Sequence, residues 1–236
     1  MPSARTALPL RLPAEMRSAV LYDIHGNRAA LDAVLADAEA EEFDRLVVGG
    51  DVALFGPDAA GCVDRLRAYG DQLIAIKGNT DRYVVERRGE AAWWADRLGE
   101  QRLAWLDALP TEVRLAAHDA LVVHATPRGD EDLLMPDTED DAVRAMLAGV
   151  GERLVLCGHV HVQYRRACGT HEIVNPGSVG LPFDGDQRAA WAMLEEGAVS
   201  LRRTRYDVEV AIAAVEACGA PVTDVVTRRL RRAAPD

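Results

Sequence analysis

Five short segments of this chain set Asp, Asn or His where an apolar run stops, mostly beside glycine. They are Asp23-Ile24-His25-Gly26-Asn27, Gly50-Asp51, Gly78-Asn79-Thr80-Asp81, the single His124, and Gly158-His159-Val160-His161. Glycine there lets the backbone turn sharply and come close to a ligand. The converging set is Asp23, Asp51, Asn79, His25, His124, His159 and His161. Oxygen and nitrogen donors without thiolate suit Mn²⁺, Fe or Zn²⁺ better than Mg²⁺ or Ca²⁺. Mn²⁺ is the first expectation, with Fe, Zn²⁺, Ni²⁺ or Mg²⁺ as alternatives. The spacing of His159 and His161 puts both imidazoles on one face of an extended chain.

Seven donors are too many for one ion and suit two, if one carboxylate is shared. Asp51 is the expected bridge, because its strand should lie between those ending at Asp23 and Asn79. Asp23, His25 and His161 would complete one shell; Asn79, His124 and His159 would complete the other. Two metals about 3.5–4 Å apart can hold a hydroxide between them and clamp a phosphoryl oxygen. Two dications and two carboxylates leave about +2 locally, enough to draw in a phosphate.

Such side chains converge only if the apolar runs are strands of a sheet. Residues 18–22, 45–48 and 72–76 are such runs, separated by helical spacing over 28–41 and 58–69. Leu31, Val34, Leu35 and Ala38 share one helix face, and Asn27 is placed to cap it. This βαβαβ order implies parallel strands with right-handed crossovers. Ligands of such sheets gather beyond the carboxyl ends of the strands. Residues 90–109, with Trp93, Trp94 and Trp105, read as helix stopped by Pro110, the tryptophans as core.

The pattern then switches to period 2. Residues 113–117 and 121–124 read as a hairpin around His118-Asp119. An acidic loop covers 130–137, and Thr138 is placed to cap a helix reaching 147. Residues 153–157 form a strand, 164–166 pair with 172–175, and 190–194 pair with 199–203. A helix over 207–218 and an Arg-rich tail, 219–236, close the chain. The first half reads as parallel and the second as antiparallel. The expected fold class is α/β, with two mixed β-sheets packed as a sandwich flanked by helices. One domain would cover 18–218, after an N-terminal extension over 1–17.

The 236 residues are 49% hydrophobic, enough for a full core. Twenty-seven basic against 38 acidic residues give a net charge of −11. That balance argues against a nucleic-acid duplex or an anionic membrane as partner. No apolar run approaches the length of a membrane span. The start does not read as a secretion signal, since Pro9, Arg11 and Pro13 break its apolar stretch. Cys62, Cys157, Cys168 and Cys218 form no CxxC, as for reduced thiols in a cytoplasmic protein. The expected partner is a small phosphoester substrate, and a homo-oligomer is left open.

The motifs DIHGN, GD, GNTD, VVHATP, GHVH and NPGSVG, in this order, resemble those of the calcineurin-like metallophosphoesterase superfamily. NPGSVG and the small size resemble its compact bacterial and archaeal phosphodiesterase branch. The resemblance implies an α/β/β/α sandwich and a binuclear metal centre held by Asp23, His25, Asp51, Asn79, His124, His159 and His161. It implies a phosphoric ester hydrolase in which a metal-bridging hydroxide attacks phosphorus, with Asp51, Asn79 and His124 as catalytic residues. One position departs from the pattern. The family often carries a His after the Asn, thought to protonate the leaving oxygen; here that position is Thr80. A hydroxyl can donate a hydrogen bond but is no acid near neutral pH. The departure implies a bias to good leaving groups, such as aryl or nucleoside phosphodiesters. It points away from the protein phosphatases and the diadenosine-tetraphosphate hydrolases. The alternative is a non-catalytic scaffold or regulatory protein of the same fold, against which the complete ligand set argues.

Other residues carry two readings each. Asp81 orients a liganding His or caps a helix. Asn175 and Ser178 line a pocket floor or belong to a Pro-Gly turn. Arg82 and Arg128 touch phosphate or are plain surface charge. His118 and His171, beside hairpin turns, read as solvated, as does the end of the Arg-rich tail. Substrate choice should lie in the loops 55–58, 127–137 and 181–186.

Overall fold

The computed structural model describes residues 16–195 and 197–236; most of the 1–17 extension lies outside them. Strands β1 (Arg17–Leu21), β2 (Arg45–Val48) and β3 (Leu73–Ala75) run parallel, with Ala19 opposite Leu46 and Leu46 opposite Leu73. Helices α1 (Arg28–Ala40) and α2 (Ala59–Arg67) connect them. Each helix starts where the sequence supplies a side-chain acceptor. The Asn27 side-chain Oδ1 takes the Ala30 N–H at 3.1 Å, and the Asp58 carboxylate takes the Gly61 N–H at 2.8 Å.

The helical middle is three pieces: α3 (Asn79–Val85), α4 (Ala92–Leu98) and α5 (Glu100–Ala108). The single helix expected over 90–109 breaks at Gly99, whose φ of +75° is left-handed. Trp94 is core, and its indole N–H also donates to the Gly56 carbonyl at 2.9 Å.

Strands β4 (Glu112–Leu115), β5 (Ala120–Val123), β6 (Leu154–Leu156), β7 (Tyr164–Cys168) and β8 (His171–Asn175) form a second sheet, ordered β4-β5-β6-β8-β7. The expected antiparallel second half is only partly so, because β5, β6 and β8 lie parallel. Strands β9 (Ala189–Glu195) and β10 (Ala198–Thr204) return to the first sheet, where β9 pairs antiparallel with β1. Apolar side chains of both sheets, among them Val20, Val47, Val122, Leu156 and Val174, fill the space between them. Ala19, Leu21, Leu46 and Val48 face the other way, under the helices. Strands buried on both faces explain why these runs are apolar throughout and do not alternate.

Helix α6 (Asp140–Met146) has Glu139, not Thr138, at its N-cap position. The Thr138 hydroxyl instead accepts the Met135 N–H at 2.8 Å within its own turn. His118 is buried, not solvated: its Nε2 lies 3.1 Å from the Ser18 hydroxyl, joining the two sheets. His171 is half-buried and donates from Nδ1 to the Glu152 carbonyl at 2.8 Å. The tail carries α8 (Thr223–Arg232), which packs on α7 (Val208–Cys218). Its Val226 and Leu230 are buried with Ile212, Val215 and Leu181, so one stripe of the Arg-rich segment is core. Among the described residues no helix is long and apolar enough to cross a membrane.

Candidate metal centre

Every candidate ligand follows the carboxyl end of a parallel strand. Asp23 and His25 follow β1, Asp51 follows β2, Asn79 follows β3, His124 follows β5, and His159 and His161 follow β6. Five of them, Asp23, His25, Asp51, His159 and His161, hold φ between 49° and 67°. Left-handed backbone at non-glycine residues costs on the order of 1–3 kcal/mol each and persists where the surroundings over-determine it. The reading of His159 and His161 as neighbours on an extended strand is therefore corrected: both sit in a left-handed loop.

The loops are fixed by backbone hydrogen bonds. The buried Asp81 carboxylate accepts the N–H groups of Asp51 (2.8 Å), Val52 (2.8 Å), Ala53 (3.1 Å) and Gly78 (3.1 Å). It touches no imidazole, so it sets the loop that carries Asp51 and does not orient a histidine. Asn175 donates to the Gly158 carbonyl at 2.9 Å, and the Ser178 hydroxyl donates to the Asp23 carbonyl at 2.7 Å. Both brace the ligand loops from below. At Gly78 any Cβ would collide with the Asp51 carboxylate, which explains glycine there.

Two groups result: Asp23, His25 and His161, and Asp51, His124 and His159. In the first, His25 Nδ1 donates to the Leu54 carbonyl (3.2 Å) and His161 Nδ1 to the Leu181 carbonyl (2.6 Å). A carbonyl only accepts, so each Nδ1 carries the proton and each Nε2 is left with a lone pair. Those two Nε2 atoms face each other at 3.0 Å. Asp23 Oδ1 lies 3.5 Å from His161 Nε2 and has no hydrogen-bond donor among the described residues, while Oδ2 takes the His159 N–H at 3.0 Å. In the second, His124 Nδ1 donates to the Gly49 carbonyl at 2.9 Å. Its Nε2 faces Asn79 Oδ1 at 3.0 Å and Asp51 Oδ2 at 3.4 Å. Asp51 Oδ2 is also 3.8 Å from His25 Nε2, so one oxygen reaches both groups. Inward-facing lone pairs repel unless a cation sits among them, and this donor set fits two divalent ions.

The field within the cluster is uneven. Burial lifts the Asp23 carboxyl well above the usual carboxylate range. Burial would lift Asp51 too, but His124, His25 and the Thr80 N–H outweigh it and hold Asp51 below that range. Burial lowers His25 to about 4 and, with His25 beside it, lowers His161 well below the ordinary imidazole value. His124 is the exception: burial acts downward, but Asp51 and Asp23 lift it to about 10.

The remaining candidates are placed as follows. Thr80 donates its N–H to Asp51 Oδ1 at 2.9 Å, and its buried hydroxyl has no partner among the described residues. Arg82 is drawn off into pairs with Asp130 (2.8 Å) and Glu131 (2.7 Å) and is no free phosphate contact. Arg128 is exposed on the rim of a cavity of about 290 Å³ that His124, Thr126 and Asp130 also line. Two neighbours of the cluster carry no motif. Phe183 stacks on His161 with ring centroids 4.4 Å apart, and Phe55 lies 5.1 Å from His25. Their only sequence signal is membership of loops that no motif decodes.

The model of the calcineurin-like phosphoesterase superfamily domain matches residues 16–197. The chain belongs to that superfamily. An uncharacterized protein of Methanocaldococcus jannaschii is 28% identical, over 82% of this chain and 89% of its own length. The crystal structure of a metallophosphoesterase from Sphaerobacter thermophilus is similar at a TM-score of 0.79 and 25% identity, covering 93% of this chain and 99% of that one. A hypothetical protein of Pyrococcus horikoshii has the same fold at a TM-score of 0.82 and 18% identity, with the same coverage. The superfamily's two-sheet fold is the one described above.

Proposed function

We propose that this protein is a dimetal phosphoesterase acting in the cytoplasm on small phosphodiesters with good leaving groups, and that Mn²⁺ fills both sites. The observation that carries this reading is the pair of imidazole lone pairs facing each other at 3.0 Å beside a carboxylate oxygen that takes no donor among the described residues. Asp23, His25 and His161 would hold one ion, and His124, His159 and Asn79 the other, with Asp51 shared. When bound, two such ions acidify a shared water and withdraw charge from a phosphoryl oxygen.

The chain's own residues do the rest. Carbonyls of Leu54, Leu181 and Gly49 fix three imidazole tautomers, so the donors are in place before substrate arrives. His159 is the half-exposed member of the set, so phosphate enters on its side. The cavity beside His124 then takes the leaving group, within reach of Arg128. No acid sits at position 80, so the leaving oxygen must depart without a proton from there. A general acid is typically worth about 10²–10⁴ in rate.

The test is a screen of Mn²⁺-loaded protein on bis-p-nitrophenyl phosphate and glycerol phosphate. The diester is expected to turn over at least about 10²-fold faster, and Asp51→Asn to fall to background. Equal turnover of the two esters removes the leaving-group reading. Asp51→Asn activity equal to the parent's removes the site.

A further inference from the structure

The two metal-ligand groups differ in what stands behind them. Behind His161 lies the Phe183 ring, stacked at 4.4 Å with an interplanar angle of 26°. The same loop holds His161 twice more: Leu181 accepts from its Nδ1, and the Phe183 N–H donates to its carbonyl at 2.9 Å. Behind His25 lies Phe55, a non-glycine residue held at φ +80°. Both phenyl rings pack against the apolar cluster of Ile212 and Val215 from α7 and Val226 and Leu230 from α8. Helix α8 and its C-cap residue Ala233 grip the Phe183 loop and the residues just after it in three further ways. The Arg229 guanidinium lies 5.6 Å over the Phe183 ring. Gly185 donates to the Ala233 carbonyl at 2.8 Å, and the Gln187 amide donates to the Arg231 carbonyl at 2.8 Å. Neither helix falls within residues 16–197, the part that matches the superfamily domain. Among the described residues no phenyl ring backs the other group: His124 is anchored on the Gly49 backbone and Asp51 on Thr80 and the Asp81 loop.

We propose that the C-terminal helical hairpin α7–α8 is a positioning element for the Asp23–His25–His161 group, acting through Phe55 and Phe183. The inference rests on the metal-binding reading above. Two lone pairs held 3.0 Å apart push the imidazoles to rotate away from each other. The Phe183 ring stacked on His161, the tilted Phe55 ring against His25 and a fixed carbonyl on each Nδ1 block that rotation, so the group keeps the shape an ion needs. Loss of a ligand-orienting contact typically costs about 10- to 100-fold in metal affinity. The hairpin's contribution should therefore appear in one of the two sites.

The experiment is a Mn²⁺ titration of the full chain by calorimetry and electron paramagnetic resonance, with His161→Ala marking the signature of losing that group. The parent protein is expected to bind two equivalents. Phe183→Leu removes the flat ring but keeps an apolar side chain; it should weaken one equivalent by about tenfold or more and the other by less than about twofold. Phe183→Tyr should restore the parent titration. Arg229→Ala, a partly exposed position, should weaken the same equivalent to a lesser degree. Equal weakening of both equivalents, or of neither, overturns the proposal. So does a Phe183→Tyr variant no better than Phe183→Leu. If the parent binds no Mn²⁺ at all, the metal reading falls and takes this one with it. Two tight equivalents and intact hydrolysis without a selective loss sink only the role of the hairpin.

Discussion

The two halves of the centre reach the same density of donors by different means. The Asp23–His25–His161 half is closed by side chains: two phenyl rings and a helical hairpin stand behind its imidazoles. The Asp51–His124–His159 half is closed by backbone: a carboxylate gathers four N–H groups, and a strand-end carbonyl fixes the one fully buried imidazole. Aromatic backing rests on helices α7 and α8, which carry no ligand, so it can change without touching the ligand loops. Backbone bracing runs from one ligand loop to the next strand end and leaves a face open, and it is here that His159 meets solvent. A site that must hold an ion while admitting substrate gains from having one half of each kind.

The largest effect that tests this contrast should come from Asp81→Asn. An amide offers one accepting oxygen to N–H groups that a carboxylate satisfied with two, and its NH₂ faces donors. Loss of hydrogen bonds to a charged group costs about 1.5–3 kcal/mol, so thermal unfolding should shift down by several degrees. Mn²⁺ should leave the Asp51 group first. Simultaneous loss from both groups would show that the bracing is shared and the contrast false.

Proton release is the next test. Ligand imidazoles must be neutral to bind metal, so protons compete with the ion. His25 and His161 are already neutral at pH 7, because burial holds them low. His124 is lifted to about 10 and is protonated there without metal. Loading the Asp51 group should therefore displace the His124 proton. Its affinity should rise with pH, by about tenfold per unit for a single displaced proton, and fall on acidification. Calorimetry in two buffers of different ionisation enthalpy reads the count. Absence of proton release at pH 7 would contradict the electrostatic picture.

The smallest effect should come from Arg82→Ala on the rim of the open half. Its pairs with Asp130 and Glu131 are partly exposed, and such pairs are worth about 1 kcal/mol or less. A thermal shift larger than that of Asp81→Asn would mean that the rim, and not the buried loop, holds this half together.

The sequence by itself determined the donors and the turns that carry them. Glycine beside Asp, Asn or His at the end of an apolar run states a strand end and a sharp turn, and both are local. Asn27 as a helix cap and the βαβαβ order were legible for the same reason: each depends on residues a few positions apart. Thr138 and Gly99 show where local reading fails. A threonine three residues after Met135 can serve its own turn as well as a helix, and a periodic stripe does not reveal a left-handed break. Only the tertiary structure decided that β9 and β10 return to the first sheet, and that His118 is buried between the sheets. It alone turned Asp81 toward the Asp51 backbone and set Phe183 behind His161. These are contacts between segments far apart in the chain, chosen by which apolar faces can be buried together. That choice depends on the packing of the whole molecule, and no spacing along the chain encodes it.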